Sequence, residues 1–337
     1  MTWFRQLTGF DETSPQAVRE MIQLRGSQLV SLVNNSSYTF GCLEIPTLAE
    51  LRERIRDTQA APSKIRVREV VADVQNLHRD TVNTGALFQV ASQFNLLEMV
   101  GPERTPEDGI GIYELDRTQG PACAIACGAG TIYRNYFVPV NGQTGQTTTN
   151  QIDCLADIGE LLGNQECRLW QMENGYALPS QAGLAEVSQR LLSSNEQQLD
   201  ELRSLLRIGV QWDTQVTLSN CQHFVTQAYC SAMPVSYTGH SSSAWKPFAK
   251  FVLEAAYEAT LCAGILNARA TGNRTVFLTL LGGGAFGNMT EWISDAIRHA
   301  LSVHRHADLD VAVVSHGTSR EFVRALAKEQ SRNKLPS

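Results

Sequence analysis

The chain has 337 residues, enough for one large domain or two modest ones. A hydrophobic share of 43% and a charged share of 18% are those of a globular protein with an ample core, and a net charge of −6 argues against a nucleic-acid-binding surface. A nucleotide ligand stays open, because backbone amides hold phosphates with little help from Lys or Arg.

Residues 1 to about 65 read as a small helical module. Ser14-Pro15-Gln16 is a helix start, with Ser at the N-cap and Pro at the first helical position, and Val18, Met21, Ile22 and Leu24 follow. Asn34-Asn35-Ser36-Ser37 is a turn, a second helix runs from Pro46 through Arg56, and Ala60-Ala61-Pro62-Ser63 marks a boundary. Strands are then expected at 65–71 and 88–91, and a tightly packed helix at 121–129. A polar loop or hairpin follows at 142–149. Amphipathic helices lie within 152–162 and 184–206, so that 151–206 reads as a helical insertion. Further strands are expected at 208–218, within 224–237, at 276–281 and at 312–314, with a long helix over 244–266. Alternation of this kind from 66 to 330 predicts an α/β domain with helices on both faces of its sheet.

The most informative stretch runs from Val276 to Asn288. An apolar strand leads into Gly282, Gly283, Gly284, Ala285, Phe286, Gly287 and Asn288, and a helix starts at about Met289. Glycines let backbone N–H groups approach an anion, and a helix N-terminus adds its positive dipole end. The loop is therefore a candidate diphosphate seat, with Phe286 placed to pack on a ring or a sugar. A second long loop follows the strand at 88–91 and carries Glu103, Glu107, Asp108, Glu114 and Asp116. Asp116 stands just before Gln119-Gly120-Pro121, which looks like another helix start. Carboxylates beside a diphosphate seat can position water or a cation. The same residue types in a Gly/Pro-rich loop also make turns and caps, and residue type alone leaves both readings open.

The remaining candidates are bland. Cys221 and His223 lack an orienting partner in the sequence, His304 and His306 read as a helix C-terminus, and Lys246 reads as surface. No spacing matches a closed zinc site, so no metal and no cofactor are expected. The eight cysteines form no close Cys-x-x-Cys pair and read as free, mostly buried thiols. Asp11 and Glu12 interrupt any leader-like apolar run, and no stretch approaches a membrane span. A cytoplasmic protein without a membrane or nucleic-acid partner is the expectation.

Three blocks in the second half, Val225-Thr226-Gln227-Ala228-Tyr229, Leu253 to Leu261 and Val276 to Gly287, follow the order of a macrodomain: strand, helix, strand, second phosphate loop. In the first half Gln93-Phe94-Asn95, Thr105 to Gly109, Asp116 to Pro121 and Gly128 to Tyr136 complete the pattern. The chain resembles the macrodomain-type ADP-ribosyl hydrolases over roughly residues 66–325. It is most similar to a divergent branch typified by an effector that removes ADP-ribose from arginine on ubiquitin. The resemblance implies a three-layer α/β/α mixed sheet and hydrolysis of ADP-ribosyl-arginine on a protein, with ubiquitin as one such substrate. By the same resemblance Gly282 to Asn288, Gln119 and Gly120 hold ADP-ribose, with Gln93, Phe94 and Asn95 at its sugars. Asp108 and Asp116 are the catalytic acids, with Glu107 as a substitute for a third. That third acid is missing where the branch places it, since Ala126 and Gly128 flank Cys127. The alternative is an ADP-ribose reader without catalysis, because many macrodomain folds only bind.

Overall fold

The computed structural model describes residues 1–56 and 63–332. Two short helices lead the chain, α1 (Trp3–Thr8) and α2 (Pro15–Met21), the second capped by the Ser14 hydroxyl with Pro15 at its first position. An antiparallel sheet follows, made of β1 (Ile22–Arg25), β2 (Gln28–Ser31) and β3 (Ser37–Thr39), then β4 (Cys42–Glu44) and α3 (Leu48–Arg56). The expected helical module is thus half strand. Its strands are only three or four residues long and mostly exposed or half-buried, too short for an apolar alternation to be read. Nor does it stand apart, because β4 joins the main sheet. Residues 60–62 of the expected boundary lie outside the described residues.

The main body opens with β5 (Arg66–Val71), α4 (Val74–Arg79) and β6 (Leu87–Ala91), then α5 (Gln119–Ala126) and α6 (Gly128–Tyr136). The expected single helix over 121–129 is these two, broken at Cys127. A small hairpin, β7 (Pro139–Val140) with β8 (Gln143–Thr144), precedes α7 (Ala156–Leu162). The expected helical insertion also contains a hairpin, β9 (Trp170–Glu173) with β10 (Tyr176–Pro179), before α8 (Gln181–Ser193) and α9 (Glu196–Arg203). The chain ends through β11 (Gly209–Gln215), β12 (Phe224–Cys230), α10 (Ser242–Thr271), β13 (Thr275–Leu278), α11 (Thr290–Val303), β14 (Asp310–Ser315) and α12 (Glu321–Arg332).

The central sheet has seven strands in the order β4-β11-β12-β6-β13-β14-β5. Strands β12, β6, β13, β14 and β5 pair in parallel, and β11 runs against both its neighbours. Side-chain alternation along β6 shows the layers. Phe88 stacks on His78 of α4 and on Phe277, while Gln89 donates to Thr260 of α10 on the opposite face. Helices α4, α5 and α6 therefore cover one face, and α10 with its neighbours α3, α8 and α11 covers the other. The result is the α/β architecture with a mixed sheet between helical layers.

A second apolar cluster joins Trp3, Phe4, Leu7 and Phe10 to Ile110, Tyr113, Ile132 and Tyr136. The leading segment is also tied down by polar bonds: Trp3 Nε1 donates to the Ile110 carbonyl (3.1 Å), and the Trp3 amide to Glu114 (3.0 Å). The Glu12 carboxylate accepts from the amides of Ile110 (3.0 Å) and Gly111 (2.6 Å) and from Tyr136 (2.5 Å). No helix among the described residues is long and apolar enough to cross a membrane.

Candidate functional site

Where β6, β13 and β14 end, the surrounding loops leave a cavity of about 410 Å³. In a parallel sheet this is the expected place for a ligand. Its lining comes from two segments that the sequence singled out, Gly282 to Phe286 and Asp116 to Pro121, together with Gln93, Glu98, Tyr176, Tyr237, His316 and Arg320.

The glycine loop begins earlier than its composition suggests. Strand β13 stops at Leu278. Side chains from other elements then hold the arch that follows: Gln89 accepts from the Thr279 amide (3.2 Å), and the Tyr257 hydroxyl from the Leu281 amide (2.9 Å). Gly282 and Gly287 have left-handed φ of 70° and 72°. A Cβ on Gly287 would lie 1.9 Å from Ser236 Oγ. Asn288 is buried and ties the loop off, donating Nδ2 to the Met233 carbonyl (2.8 Å) and its amide to the Gly282 carbonyl (2.9 Å). Among the described residues the amides of Gly284, Ala285 and Phe286 find no acceptor.

The facing segment is built for close approach. A Cβ on Gly120 would come within 2.2 Å of the Ala91 carbonyl oxygen, so only glycine lets the first turn of α5 lie against the end of β6. Gln119 accepts from the Val74 amide (2.9 Å), which locks α5 to α4. The Thr118 side chain makes no capping bond, and the amides of Gln119 and Gly120 stay unpartnered among the described residues. Two sets of free amides, one at a helix N-terminus, thus belong to segments that line one cavity. Asp116 sits beside them, half-buried, its Oδ1 accepting from the Thr118 amide (2.7 Å).

The other expected acids lie elsewhere. Asp108 is exposed and closes a capping box with Thr105, accepting the Thr105 amide at 2.8 Å. Glu107 is exposed and accepts from the Thr148 amide (3.1 Å). Neither lines the cavity. Their turn is a 3₁₀ segment, Pro106–Asp108, followed by a second, Gly111–Leu115, and the second one delivers Asp116 to the cavity. The three residues expected at the sugars also separate. Gln93 lines the cavity but spends its amide on Met99, accepting its N–H (2.9 Å) and donating to its carbonyl (3.1 Å). Phe94 and Asn95 are fully buried, and Asn95 donates to Gln151 (2.8 Å) and accepts from the Leu97 amide (3.1 Å). They hold the loop instead of facing the cavity.

Phe286 is half-buried and faces an aromatic wall that the sequence did not reveal. Tyr176, from the hairpin of the insertion, lies 5.2 Å from it, and Tyr237 lies 5.6 Å from it and 5.0 Å from Tyr176. The Tyr176 hydroxyl donates to the Met99 carbonyl (2.9 Å), which fixes the ring.

No family model and no curated protein matches the chain. Solved structures do. Poly(ADP-ribose) glycohydrolase from Deinococcus radiodurans, in complex with ADP-ribose, is 11% identical over 97% of this chain and 100% of that one, with a TM-score of 0.47. The enzyme from Thermomonospora curvata is 13% identical over 94% and 95%, with a TM-score of 0.43. Bound to the inhibitor ADP-HPD, it is 12% identical over the same shares, with a TM-score of 0.44. The likeness concerns the general arrangement of the layers.

The cavity also holds an acid that the sequence reading passed over. Glu98 is buried to 1% exposure, and burial pushes its carboxyl up to about 8 against the pull of Arg134. Burial pushes two histidines the opposite way, His78 down to about 4 and His304 in the same direction. The signs give a testable pH dependence. The folded chain holds a proton on Glu98 that the unfolded chain has released, so stability is lost as pH rises toward 8. Both histidines act oppositely, but only below their unfolded value of 6.5. Between about pH 6.5 and 8, urea-unfolding free energy should therefore fall with pH, by at most about 1.4 kcal/mol per unit. Glu98→Gln should flatten that slope.

Outside the cavity, Glu258, Cys262 and His304 bring ligand-type atoms within 4.8 Å of one another. Arg52 already holds both Glu258 oxygens, at 2.7 and 2.8 Å, and its other edge binds Asp200. The cluster is a buried ion-pair network, and His304, which caps the C-terminal end of α11 as expected, also reaches Glu258 at 3.8 Å. Likewise Cys221 and His223 do not pair: the His223 ring contacts the His78 carbonyl (2.7 Å). All eight cysteines are free, five of them buried.

Proposed function

We propose that the chain is an ADP-ribosyl hydrolase that cleaves the N-glycosidic bond between ADP-ribose and an arginine guanidinium on a protein in the cytoplasm. One observation carries the reading: two sets of unpartnered backbone amides flank a single cavity that also presents Asp116. Amides of that kind suit a diphosphate, whose charge needs no lysine there. The wall of Phe286, Tyr176 and Tyr237 suits the faces of a sugar and of a planar cation. Asp116 then binds the guanidinium or a ribose hydroxyl and takes a proton from the attacking water. A carboxylate at Asp116 fits a cationic leaving group better than a glutamate ester.

The sequence resemblance supports arginine as the linkage and ubiquitin as one substrate. Asp108 and Glu107 enter this scheme as the residues that shape the turn leading to Asp116. The deciding experiment compares release of ADP-ribose from Arg-, Glu- and Ser-linked ADP-ribosylated proteins, ADP-ribosylated ubiquitin included. Turnover confined to the Arg-linked substrate is expected. Tight ADP-ribose binding with no release from any of them would mark a reader instead.

A further inference from the structure

Glu98 has no role in the scheme above, and a long buried ion pair with Arg134 leaves its hydrogen-bonding capacity open. It sits in the apolar run Leu96-Leu97-Glu98-Met99 and lines the cavity. Neither carboxylate oxygen has a hydrogen-bond partner. The nearest cation, Arg134 Nη2, is 3.6 Å away, beyond hydrogen-bonding distance. Arg134 is fully buried and committed elsewhere. Its Nε donates to the Leu96 carbonyl (3.0 Å), its Nη2 to Thr131 (3.2 Å), and its guanidinium lies 3.6 Å over the Tyr229 ring. Its Nη1 is also without a partner. A buried carboxyl left this way is destabilising, and buried orphan polar groups call for an explanation. A group that waits for a ligand supplies one.

We propose that Glu98 is the general acid of the reaction, giving its proton to the guanidine nitrogen as that nitrogen leaves C1″ of the ribose. The assignment rests on the hydrolase reading of this cavity. The C1″–N bond breaks with both electrons going to nitrogen, which produces a neutral guanidine. Glu98 protonates that nitrogen to give the arginine side chain in its usual cationic form. Water adds to C1″, its proton goes to the Asp116 carboxylate, and that proton later returns through solvent to Glu98. No oxidant, reductant or further reactant is needed.

Charged or titratable groups face Glu98 from four elements. Arg134 faces it from α6, Tyr113 from the 3₁₀ segment Gly111–Leu115, Tyr229 from β12 and Cys123 from α5. The Tyr113 hydroxyl also accepts the Glu98 amide (3.0 Å). Arg134 and Tyr113 both favour the ionised form, and burial outweighs them, which keeps the carboxyl protonated at neutral pH.

The test is kcat across pH 5.5 to 9.5 on Arg-linked ADP-ribosylated protein, with ADP-ribose affinity measured by calorimetry, for the wild type and Glu98→Gln. In the wild type, kcat should fall above about pH 8, approaching tenfold per unit. Glu98→Gln should keep ADP-ribose affinity within about threefold, lose about 100-fold or more in kcat, and lose the alkaline limb. A merely structural role would move affinity and melting temperature and leave the limb in place. Wild-type kcat in the variant, or a wild-type profile flat through pH 9, overturns the assignment. If Glu98→Gln does not fold, the wild-type profile decides alone. A wild type that releases nothing from any linkage sinks the hydrolase reading itself, which is a different result from an active wild type indifferent to Glu98.

Discussion

Asp116→Asn is expected to slow release of ADP-ribose from modified arginine by about 10²–10⁴-fold while leaving affinity for free ADP-ribose within about threefold. The change keeps the size of the side chain and its role as acceptor for the Thr118 amide, so the first turn of α5 and its free amides stay in place. What is lost is the negative charge and the ability to take a proton from water. The free ligand has no guanidinium and no departing group, so it barely senses the loss. Single-turnover release and calorimetry on the same preparation separate the two effects. A large drop in ADP-ribose affinity with unchanged chemistry would instead make Asp116 a binding residue.

Gly287→Val is expected to lower ADP-ribose affinity by about 100-fold or more. A branched side chain at φ of 72° is strained, and its Cβ would start 1.9 Å from Ser236 Oγ. Relief requires the loop to swing away from Ser236, whose amide is bonded to the Phe286 carbonyl (3.0 Å). The free amides of Gly284 to Phe286 and the Phe286 ring then leave the cavity together. Gly142→Ala is the control: it has the same left-handed backbone (φ 81°) with nothing within 4 Å of a Cβ. It should cost about 1 kcal/mol of stability and leave ADP-ribose affinity untouched. Equal behaviour of the two variants would mean that the loop plays no part in binding.

These two residues also show what could be read from the chain alone. The path from β13 through the glycines to α11 is local, and an apolar strand, a glycine run and a helical period announce it in order. Asp116 was legible for a similar reason, since it stands next to the Gly-Pro start of α5. Asp108 has the same composition around it, but an acid three residues after Thr105 closes a capping box, and that local bond decides where it points. Glu98 was illegible because its meaning depends on Arg134 and Tyr229, remote in sequence, and because a lone acid among leucines reads as an ordinary turn of the chain. Strands β1 to β4 were missed because they are too short to show a period. The aromatic wall escaped because Tyr176 arrives from an insertion whose hairpin lies between helices.

The first twelve residues have a consequence for the chemistry at a distance. Trp3 and Glu12 grip Ile110, Gly111 and Glu114, within or beside the 3₁₀ segment that ends one residue before Asp116. Trimming this leader would free the turn that carries Asp116, and under the proposed mechanism the damage would show as slower release of ADP-ribose before it showed as unfolding. A truncated chain that still melts cooperatively can therefore look like a catalytic mutant, although no residue that touches the ligand has been changed.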